Sequence, residues 1–208
     1  MYFKKYDIIR EQTMTTIRLQ LQQAGGLMFL ILAPVLAYAG DDFAWAPITS
    51  ADWAVAPDSS RGGMHAIMIF EKIISNDRGF EKGKFYLEVY RRIKVFTPEG
   101  RSFAEVSLPY VRKKEEIEEL NARTVLPGGK EINLDEDQIH ESEAVKTEDV
   151  RIMQKSFSFP GVTDGSILEY RYVQRSSSPH NNWYIEKTIP LLHGEFTWKF
   201  INRVSNPY

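Results

Sequence analysis

The sequence predicts an all-β fold, an antiparallel β-sandwich, and three observations lead to this prediction. The 208 residues include 12 Phe, 10 Tyr and 4 Trp, side chains that favour strands over helices. Apolar and polar residues alternate in several short segments, as expected of strands with one buried face. Gly, Pro, Asn and Asp separate these segments at short intervals, which is typical of sandwiches and barrels. About eight to ten strands are predicted, with room for one short helix.

The composition limits the domain organisation and the kinds of partner. A chain of 208 residues with 43% hydrophobic side chains is long enough for one domain with a full apolar core. The formal net charge of −2 gives no reason to expect nucleic acid or an anionic membrane surface as a partner. Because the chain has no cysteine, disulfides, a thiolate nucleophile and a cysteine-based zinc site are excluded.

The N-terminal residues are typical of an export signal. Basic residues precede an uncharged, mainly apolar run over 24–36, and residues 37–39, Ala-Tyr-Ala, match the small-x-small pattern of a cleavage site. We therefore predict a signal peptide over 1–39, with Met1 or Met14 as the start, and an exported, periplasmic protein. The alternative is an uncleaved membrane anchor, although the apolar run is short for a helix that spans a bilayer.

The mature chain is predicted to begin with an extended leader and to continue as the β-sandwich. Residues 40–63 are rich in Ala, Pro, Asp and Ser, and we expect this leader to lie on the domain with Trp45 and Trp53 as its contacts. The sandwich is predicted over 64–208. Its first strand is predicted over 64–74, a mainly apolar run of the kind that indicates a buried strand.

The clearest strand is predicted over 84–96. Apolar side chains alternate with polar ones throughout this segment, and Arg91 alone interrupts the apolar face. Residues 97–100, Thr-Pro-Glu-Gly, suit a type I turn, with Pro at its second position and Gly at its fourth. A returning strand over 101–108 would then complete a β-hairpin.

The middle of the chain combines strand and turn signals with many charges. Residues 112–120 have helix-like charge spacing, yet alternation follows them, so we predict a charged strand edge with a short helix as the alternative. Residues 127–129, Pro-Gly-Gly, predict a hairpin turn, and 130–134 the returning strand. Residues 135–149 are acidic and are predicted to be a loop.

The C-terminal half is predicted to contribute four more strands. They are expected over 150–159, 166–173, 183–189 and 195–204. The last of them would place Phe196, Trp198 and Phe200 on one face, and such a face needs a sheet to pack against.

No motif for catalysis or metal binding is present. The four histidines do not have the spacing of a metal site, and there is no nucleophile elbow around a serine. We therefore predict no metal, no cofactor and no catalytic residue in this chain. Glu169 alternates within its strand, and a cross-strand partner such as Arg91 or Arg92 would make it part of a structural ion pair. A role for Glu169 as a catalytic acid is the less favoured alternative.

Tyrosines that share strand faces suggest a candidate binding surface for peptides or glycans. Tyr86 and Tyr90 lie on one face of their strand, and Tyr170 and Tyr172 on one face of theirs. The favoured alternative is that these rings cover a second apolar layer or a domain interface. With the neighbouring charges, the candidate surface comprises Tyr86, Tyr90, Tyr170, Tyr172, Arg91 and Glu169.

Six motifs that occur in order resemble a known bacterial family. They are RRIKVF at 91–96, PEG at 98–100, ARTVLPGG at 122–129, FPGV at 159–162, GSILEYRY at 165–172 and WY at 183–184. Together they look like domain of unknown function 3857, from about residue 66 to the C-terminus. The resemblance implies a β-sandwich that commonly precedes a transglutaminase-like core in exported proteins. Because that core uses Cys, His and Asp, and this chain has no cysteine, no catalytic residue carries over.

Two classes of function remain open. The first is a non-catalytic exported accessory or binding module of the bacterial cell envelope, with a protein, peptide or glycan surface as its partner. The alternative is an N-terminal domain that positions the substrate of a transglutaminase- or protease-like enzyme, whose Cys-His-Asp core would lie downstream of this chain. A third hypothesis is a structural protein that is anchored to the membrane by residues 24–38.

Overall fold

The computed structural model describes residues 15–20, 45–57, 63–77, 79–179 and 189–200, and for residues 15–20 it gives the backbone alone. Ten strands dominate the described chain: β1 Thr15–Gln20, β2 Ala66–Asn76, β3 Phe85–Val95, β4 Glu105–Val111, β5 Glu115–Val125, β6 Glu131–Asn133, β7 His140–Lys146, β8 Arg151–Ser158, β9 Ile167–Ser176 and β10 Leu191–Lys199. The α-helix α1 spans Ser50–Ala54, and short 3-10 helices span Phe80–Lys82, Pro98–Ala104 and Glu136–Gln138. The predicted all-β class is confirmed.

The strands form two sheets that pack face to face. The large sheet has the order β1-β10-β2-β3-β9-β5-β6, and the small sheet has the order β4-β8-β7. Neighbouring strands are antiparallel with one exception, the parallel pair of β10 and β2. The predicted β-sandwich is therefore present, with a parallel pair that the local turn signals did not indicate.

The core lies between the two sheets, where one face of each strand is apolar. Val89, Ile93 and Val95 on β3 point inward, and Val95 has no exposed surface. Leu108 and Phe157 approach them from the small sheet. Full burial of each such side chain contributes about 1.5–3 kcal/mol, so this layer holds the two sheets together without any disulfide.

The predicted hairpin between β3 and the next strand is wrong. Pro98–Ala104 is a 3-10 helix that carries the chain from the large sheet to the small one, where β4 pairs with β8. Gly100 permits this crossing, because a Cβ atom there would lie 2.1 Å from the backbone oxygen of His65. The Pro and Gly that suggested a tight turn therefore belong to the segment that connects the two sheets.

The acidic segment that was predicted to be a loop contains a strand. β7 is the edge strand of the small sheet and pairs with β8 alone, and all seven of its residues are exposed. Because neither face of β7 packs on the core, its sequence lacks the alternation that reveals half-buried strands.

The charged segment before Leu120 is a strand, as predicted, and the short-helix alternative is wrong. β5 runs for eleven residues and pairs with β9 along most of its length. The register shifts between Glu118 and Asn121, where Glu119 adopts a positive φ of 51°, which marks a β-bulge. The predicted turn at 127–129 and the returning strand are also present.

The last strand differs from its prediction in position and in packing. β10 begins at Leu191, and Phe196 packs on the core as expected. Trp198 and Phe200 are each 40% exposed and contact one another edge to face, so they are not covered by a second sheet. The strand predicted over 183–189 lies outside the described residues except at Ile189.

The predicted signal peptide lies mostly outside the described residues. Within it the structure describes only β1, which pairs antiparallel with β10 at the edge of the large sheet. In the described part of the chain, no helix has both the length and the apolar character needed to cross a membrane.

Candidate functional site

The outer face of the large sheet, opposite the core, carries a cluster of charged side chains. It arises because polar residues alternate with the apolar residues that point inward along β3, β5 and β9. The strand register brings Arg92 directly opposite Glu169, and Glu169 directly opposite Arg123. The cluster comprises Tyr90, Arg92, Lys94, Arg123, Glu169 and Arg171. Its four basic members are called the cationic row: Arg92, Lys94, Arg123 and Arg171.

Glu169 stands at the centre of this cluster and has no exposed surface. Arg92 donates to Oε1 from Nε at 2.8 Å and from Nη2 at 2.7 Å. Arg123 donates to Oε2 from Nε at 2.7 Å and from Nη2 at 2.6 Å. Two guanidinium forks therefore hold the two carboxylate oxygens. The predicted cross-strand ion pair of Glu169 is confirmed with Arg92.

Tyr90 also forms a hydrogen bond with Glu169. Its hydroxyl donates to Oε1 of Glu169 and accepts from Nη2 of Arg92 at 2.9 Å. Burial raises the pKa of Tyr90 well above its ordinary value of 10, and the Glu169 charge raises it further. The phenol therefore stays protonated and remains a donor. Tyr90, Arg92, Arg123 and Glu169 therefore form one hydrogen-bonded network, in which both oxygens of the Glu169 carboxylate are satisfied.

Residues 45–57, here called the strap, lie across this face. The strap contains α1, which Thr49 and Asp52 cap reciprocally in a capping box. The Trp45 ring lies 4.8 Å from the guanidinium carbon of Arg123 and 4.8 Å from that of Arg171. Two cations thus contact one indole, an arrangement that favours binding through the negative face of the ring.

The strap is bound mainly through its backbone. Arg92 donates to the carbonyl oxygens of Ala46 at 2.6 Å and Pro47 at 3.2 Å, and to the Asp52 carboxylate at 2.9 Å. Lys94 donates from Nζ to the carbonyl oxygens of Trp53 at 2.5 Å and Val55 at 2.8 Å. Burial lowers the pKa of Lys94, and the nearby Asp52 charge opposes that effect.

The C-terminal end of the strap packs on an apolar patch. Trp53 and Val55 pack on buried side chains of β2, β5 and β9 that lie on the outer face. These side chains are Ile67, Ile69, Val125 and Ile167. The outer face therefore consists of a charged half under Trp45 and an apolar half under Trp53.

A separate ion pair lies on the inner face of the large sheet. Arg91 donates from Nε to Glu71 at 2.7 Å and from Nη1 to the hydroxyl of Tyr170 at 2.6 Å. Glu71 is fully buried. The rings of Tyr170 and Tyr172 stack in parallel with centroids 6.3 Å apart. Arg91, which interrupts the apolar face in the sequence, is thus neutralised within the sandwich.

The six residues of the candidate surface do not form one exposed surface. Three of them lie on the outer face, namely Tyr86, Tyr90 and Glu169, and the other three lie on the inner face, namely Arg91, Tyr170 and Tyr172. Tyr90, Tyr170, Tyr172 and Glu169 are buried, whereas Tyr86 and Arg91 are partly exposed. Whether any of the six binds a ligand stays a prediction.

Asp52 and Arg123 are members of the site that the sequence did not single out. Arg123 lies in an alternating segment, on the same face as Val125. This alternation is the only feature of the sequence that could have indicated which face of the sheet Arg123 occupies. Its contact with Glu169 depends on the register of β5 against β9, which joins residues far apart in the chain. Asp52 gives a local signal, because Thr49 and Asp52 have the spacing of a capping box.

The small sheet bears a shallow polar groove of about 500 Å³ on its outer side. Its lining is rich in hydroxyl and carboxylate groups and includes Glu105, Ser107, Asp137, His140, Ser156 and Ser158. Among the residues that the structure describes, no group of three or more His, Asp or Glu side chains could hold a metal ion.

Residues 81–206 match the family model of a domain of unknown function for which a structure has been solved, DUF3857. The chain belongs to this family. The matched range contains the whole cationic row and Glu169, whereas the strap precedes it. No curated protein matches the sequence.

Two solved structures are similar to this DUF3857 chain in parts. A putative protease from Parabacteroides distasonis matches with a TM-score of 0.53 at 11% identity, over 64% of this chain and 28% of that chain. A putative nutrient binding protein from Legionella pneumophila matches with a TM-score of 0.26 at 7% identity, over 54% of this chain and 40% of that chain. The first likeness shows a shared fold, and the second is too weak to support any argument. In both, this chain spans less than half of the other protein.

Proposed function

We propose that this DUF3857 chain is a non-catalytic accessory or binding module of the bacterial cell envelope, and that it binds a peptide or protein surface. One observation carries the proposal. The outer face of the large sheet already holds a peptide segment, the strap, through four backbone carbonyls, one carboxylate and two indoles. A face with this chemistry can hold a peptide through its backbone carbonyls, a carboxylate and indole rings.

The surroundings of Glu169 support a structural role over a catalytic one. A general acid must reach the substrate atom that it protonates. Glu169 is fully buried, and both of its oxygens accept hydrogen bonds from Arg92 and Arg123. A substrate could reach this carboxylate only if the strap and the ion pairs were displaced.

Binding can be tested on peptide and glycan arrays with the fluorescently labelled full chain. We expect saturable binding to members of the peptide array, confirmed by titration calorimetry at micromolar concentrations. The heat-denatured chain is the control for adhesion to the array. A folded chain that binds no member of the peptide array above this control would contradict the proposal.

Export to the periplasm is the second part of the proposal, and the N-terminal sequence supports it. The intact mass of the protein purified from its own cells tests it. A mass that corresponds to residues 40–208 is expected, since the cleavage pattern ends at Ala39. Such cleavage would remove β1 and leave β10 as the sheet edge. A mass that includes residues 1–39, together with resistance to carbonate extraction, would show a retained membrane anchor.

The alternative function is that of an N-terminal domain that positions substrate for a transglutaminase- or protease-like enzyme. The likeness to the Parabacteroides distasonis protein favours it, because a β-sandwich of this fold occupies a minor part of that longer chain. Sequencing the gene beyond the codon for Tyr208 tests the idea. An open reading frame that encodes Cys, His and Asp in that order is expected, and a stop codon directly after Tyr208 would exclude it.

A further inference from the structure

The polar contacts that hold the strap make few demands on its sequence. Four of the five hydrogen bonds that Arg92 and Lys94 donate to the strap end on backbone carbonyl oxygens. Every residue supplies such an acceptor, so these two side chains recognise the course of a peptide backbone. A different peptide with the same course could accept the same hydrogen bonds.

Two positions of the strap supply the sequence-dependent contacts to the charged half of the face. Trp45 contacts the guanidinium groups of Arg123 and Arg171, and Asp52 pairs with Arg92 at 2.9 Å. An indole and a carboxylate seven residues later in the chain are therefore the groups that this half of the face selects. Both suit a surface where positive charge is in excess.

The strap covers the sheet without being part of it. No residue of α1 is buried, and Trp45 and Trp53 are only partly so. The side chains beneath it are buried, since Arg92 is 4%, Lys94 is 7% and Glu169 is 0% exposed. The strap pairs with no strand, so its departure would break no ladder of either sheet.

The face and the strap also differ in their relation to the family. The residues that match DUF3857, 81–206, include the cationic row and exclude the strap. On the outer face, this row sets four basic side chains against two carboxylates of the sheet, Glu169 and Glu131, and the strap adds Asp52 as a third. The face therefore favours an anionic occupant wherever the strap is displaced.

We propose that the outer face of the large sheet is a peptide-binding site which the strap occupies as an intramolecular ligand, and that its ligand in trans is an acidic peptide with a tryptophan that follows the course of the strap. This inference rests on the proposed function and names the ligand class and the place of binding. The strap then acts as a competitor whose displacement regulates access to the site.

The test uses the full chain with a weakened strap. In the Trp45→Ala, Asp52→Asn double variant, the strap loses its two selective contacts while the sheet residues stay unchanged. The probe is a fluorescein-labelled synthetic peptide with the sequence of residues 45–57, and fluorescence anisotropy measures its binding. We expect the double variant to bind the probe at least tenfold more tightly than the wild-type chain does, because the wild-type strap competes.

A probe in which both Trp and the Asp are replaced by Ala and Asn is the matched control, and it should bind the double variant at least tenfold more weakly. The inference is overturned if the folded double variant binds both probes equally. If the wild-type chain nevertheless binds peptides on the arrays, the proposed function stands and this inference alone fails. Absence of binding in both experiments overturns the two together.

Hydrogen exchange on the wild-type chain gives a second test, which does not depend on the folding of the variant. We expect the hydrogen-bonded amides of the strap to exchange at least tenfold faster than those of β3 and β9, because the strap opens without global unfolding. Equal protection of the strap and the sheet would show that the strap opens only when the whole domain unfolds. That result would overturn the inference.

Discussion

At the scale of single residues, Glu169 shows how a charge can be kept inside a small β domain. Moving a carboxylate out of water costs several kcal/mol, and only well-placed partners offset this cost. Glu169 has two guanidinium forks and a phenol. Its pairing with a neighbouring arginine was predictable, because alternation and antiparallel register restrict the choice to adjacent strands. The contribution of Arg123 was not predictable, since it depends on a register that joins distant segments.

The Glu169→Gln substitution should therefore be strongly destabilising. Without the Glu169 carboxylate, Arg92 and Arg123 each lose the buried charge that their Nε and Nη2 groups contact, and Asp52 and Glu131 still pair only with the Nη1 groups. We expect the free energy of unfolding to fall by about 3–5 kcal/mol. Urea denaturation followed by circular dichroism measures this change. The control is Asp164→Asn, which breaks the exposed Arg101–Asp164 pair and should cost about 0–1 kcal/mol. Equal effects of the two substitutions would mean that the buried network does not stabilise the domain.

The four tyrosines of the candidate surface should separate into two groups. Tyr170→Ala opens a cavity in the core, and we expect a loss of about 3–5 kcal/mol in the free energy of unfolding. Tyr86→Ala changes a partly exposed position, and about 1 kcal/mol is expected. Tyr86→Ala is thus the variant in which weaker ligand binding can be distinguished from unfolding. Similar melting temperatures for both variants would contradict the packing described for Tyr170.

At the scale of elements, a strand could be predicted where one of its faces packs on the core. β3 is such a strand, and its bounds were predicted to within one residue at each end. Neither face of β7 packs on the core, and this strand was missed. The crossing after β3 was mistaken for a hairpin, because Pro and Gly have the same local signature in a tight turn and in the 3-10 helix of Pro98–Ala104. What distinguishes the two is the approach of Gly100 to His65, a contact between distant segments.

Gly100→Ala tests how much that crossing depends on close approach. A Cβ atom 2.1 Å from a backbone oxygen cannot be accommodated by rotating a side chain, so we expect a loss of about 3 kcal/mol in the free energy of unfolding. Gly83→Ala is the control, because Gly83 has a φ of 61° but open space around its Cβ position. About 1 kcal/mol is expected there from backbone strain alone. Thermal melts that rank the two variants in the opposite order would contradict this account of the crossing.

At the scale of the whole molecule, buried tyrosines should make the free energy of unfolding decrease at alkaline pH. Burial raises the pKa of Tyr172 to about 12, while a tyrosine in the unfolded chain titrates near 10. The unfolded state therefore releases this proton first, so the stability is constant below about pH 10 and falls as the pH rises towards 12. Urea midpoints measured across that interval should decrease with pH. Tyr172→Phe should reduce the slope, and an unchanged slope would show that other groups cause the effect.

The parallel pairing of β10 with β2 has a consequence for when the domain can fold. The two strands are more than one hundred residues apart in sequence, so β2 keeps an unpaired edge until nearly the whole chain is available. Sheets built from such distant strands fold in milliseconds to seconds. A chain truncated after residue 179 should thus be digested by protease under conditions in which the full chain resists. Late closure of this kind would leave the domain incomplete during synthesis, a state compatible with the proposed export through a translocation pore.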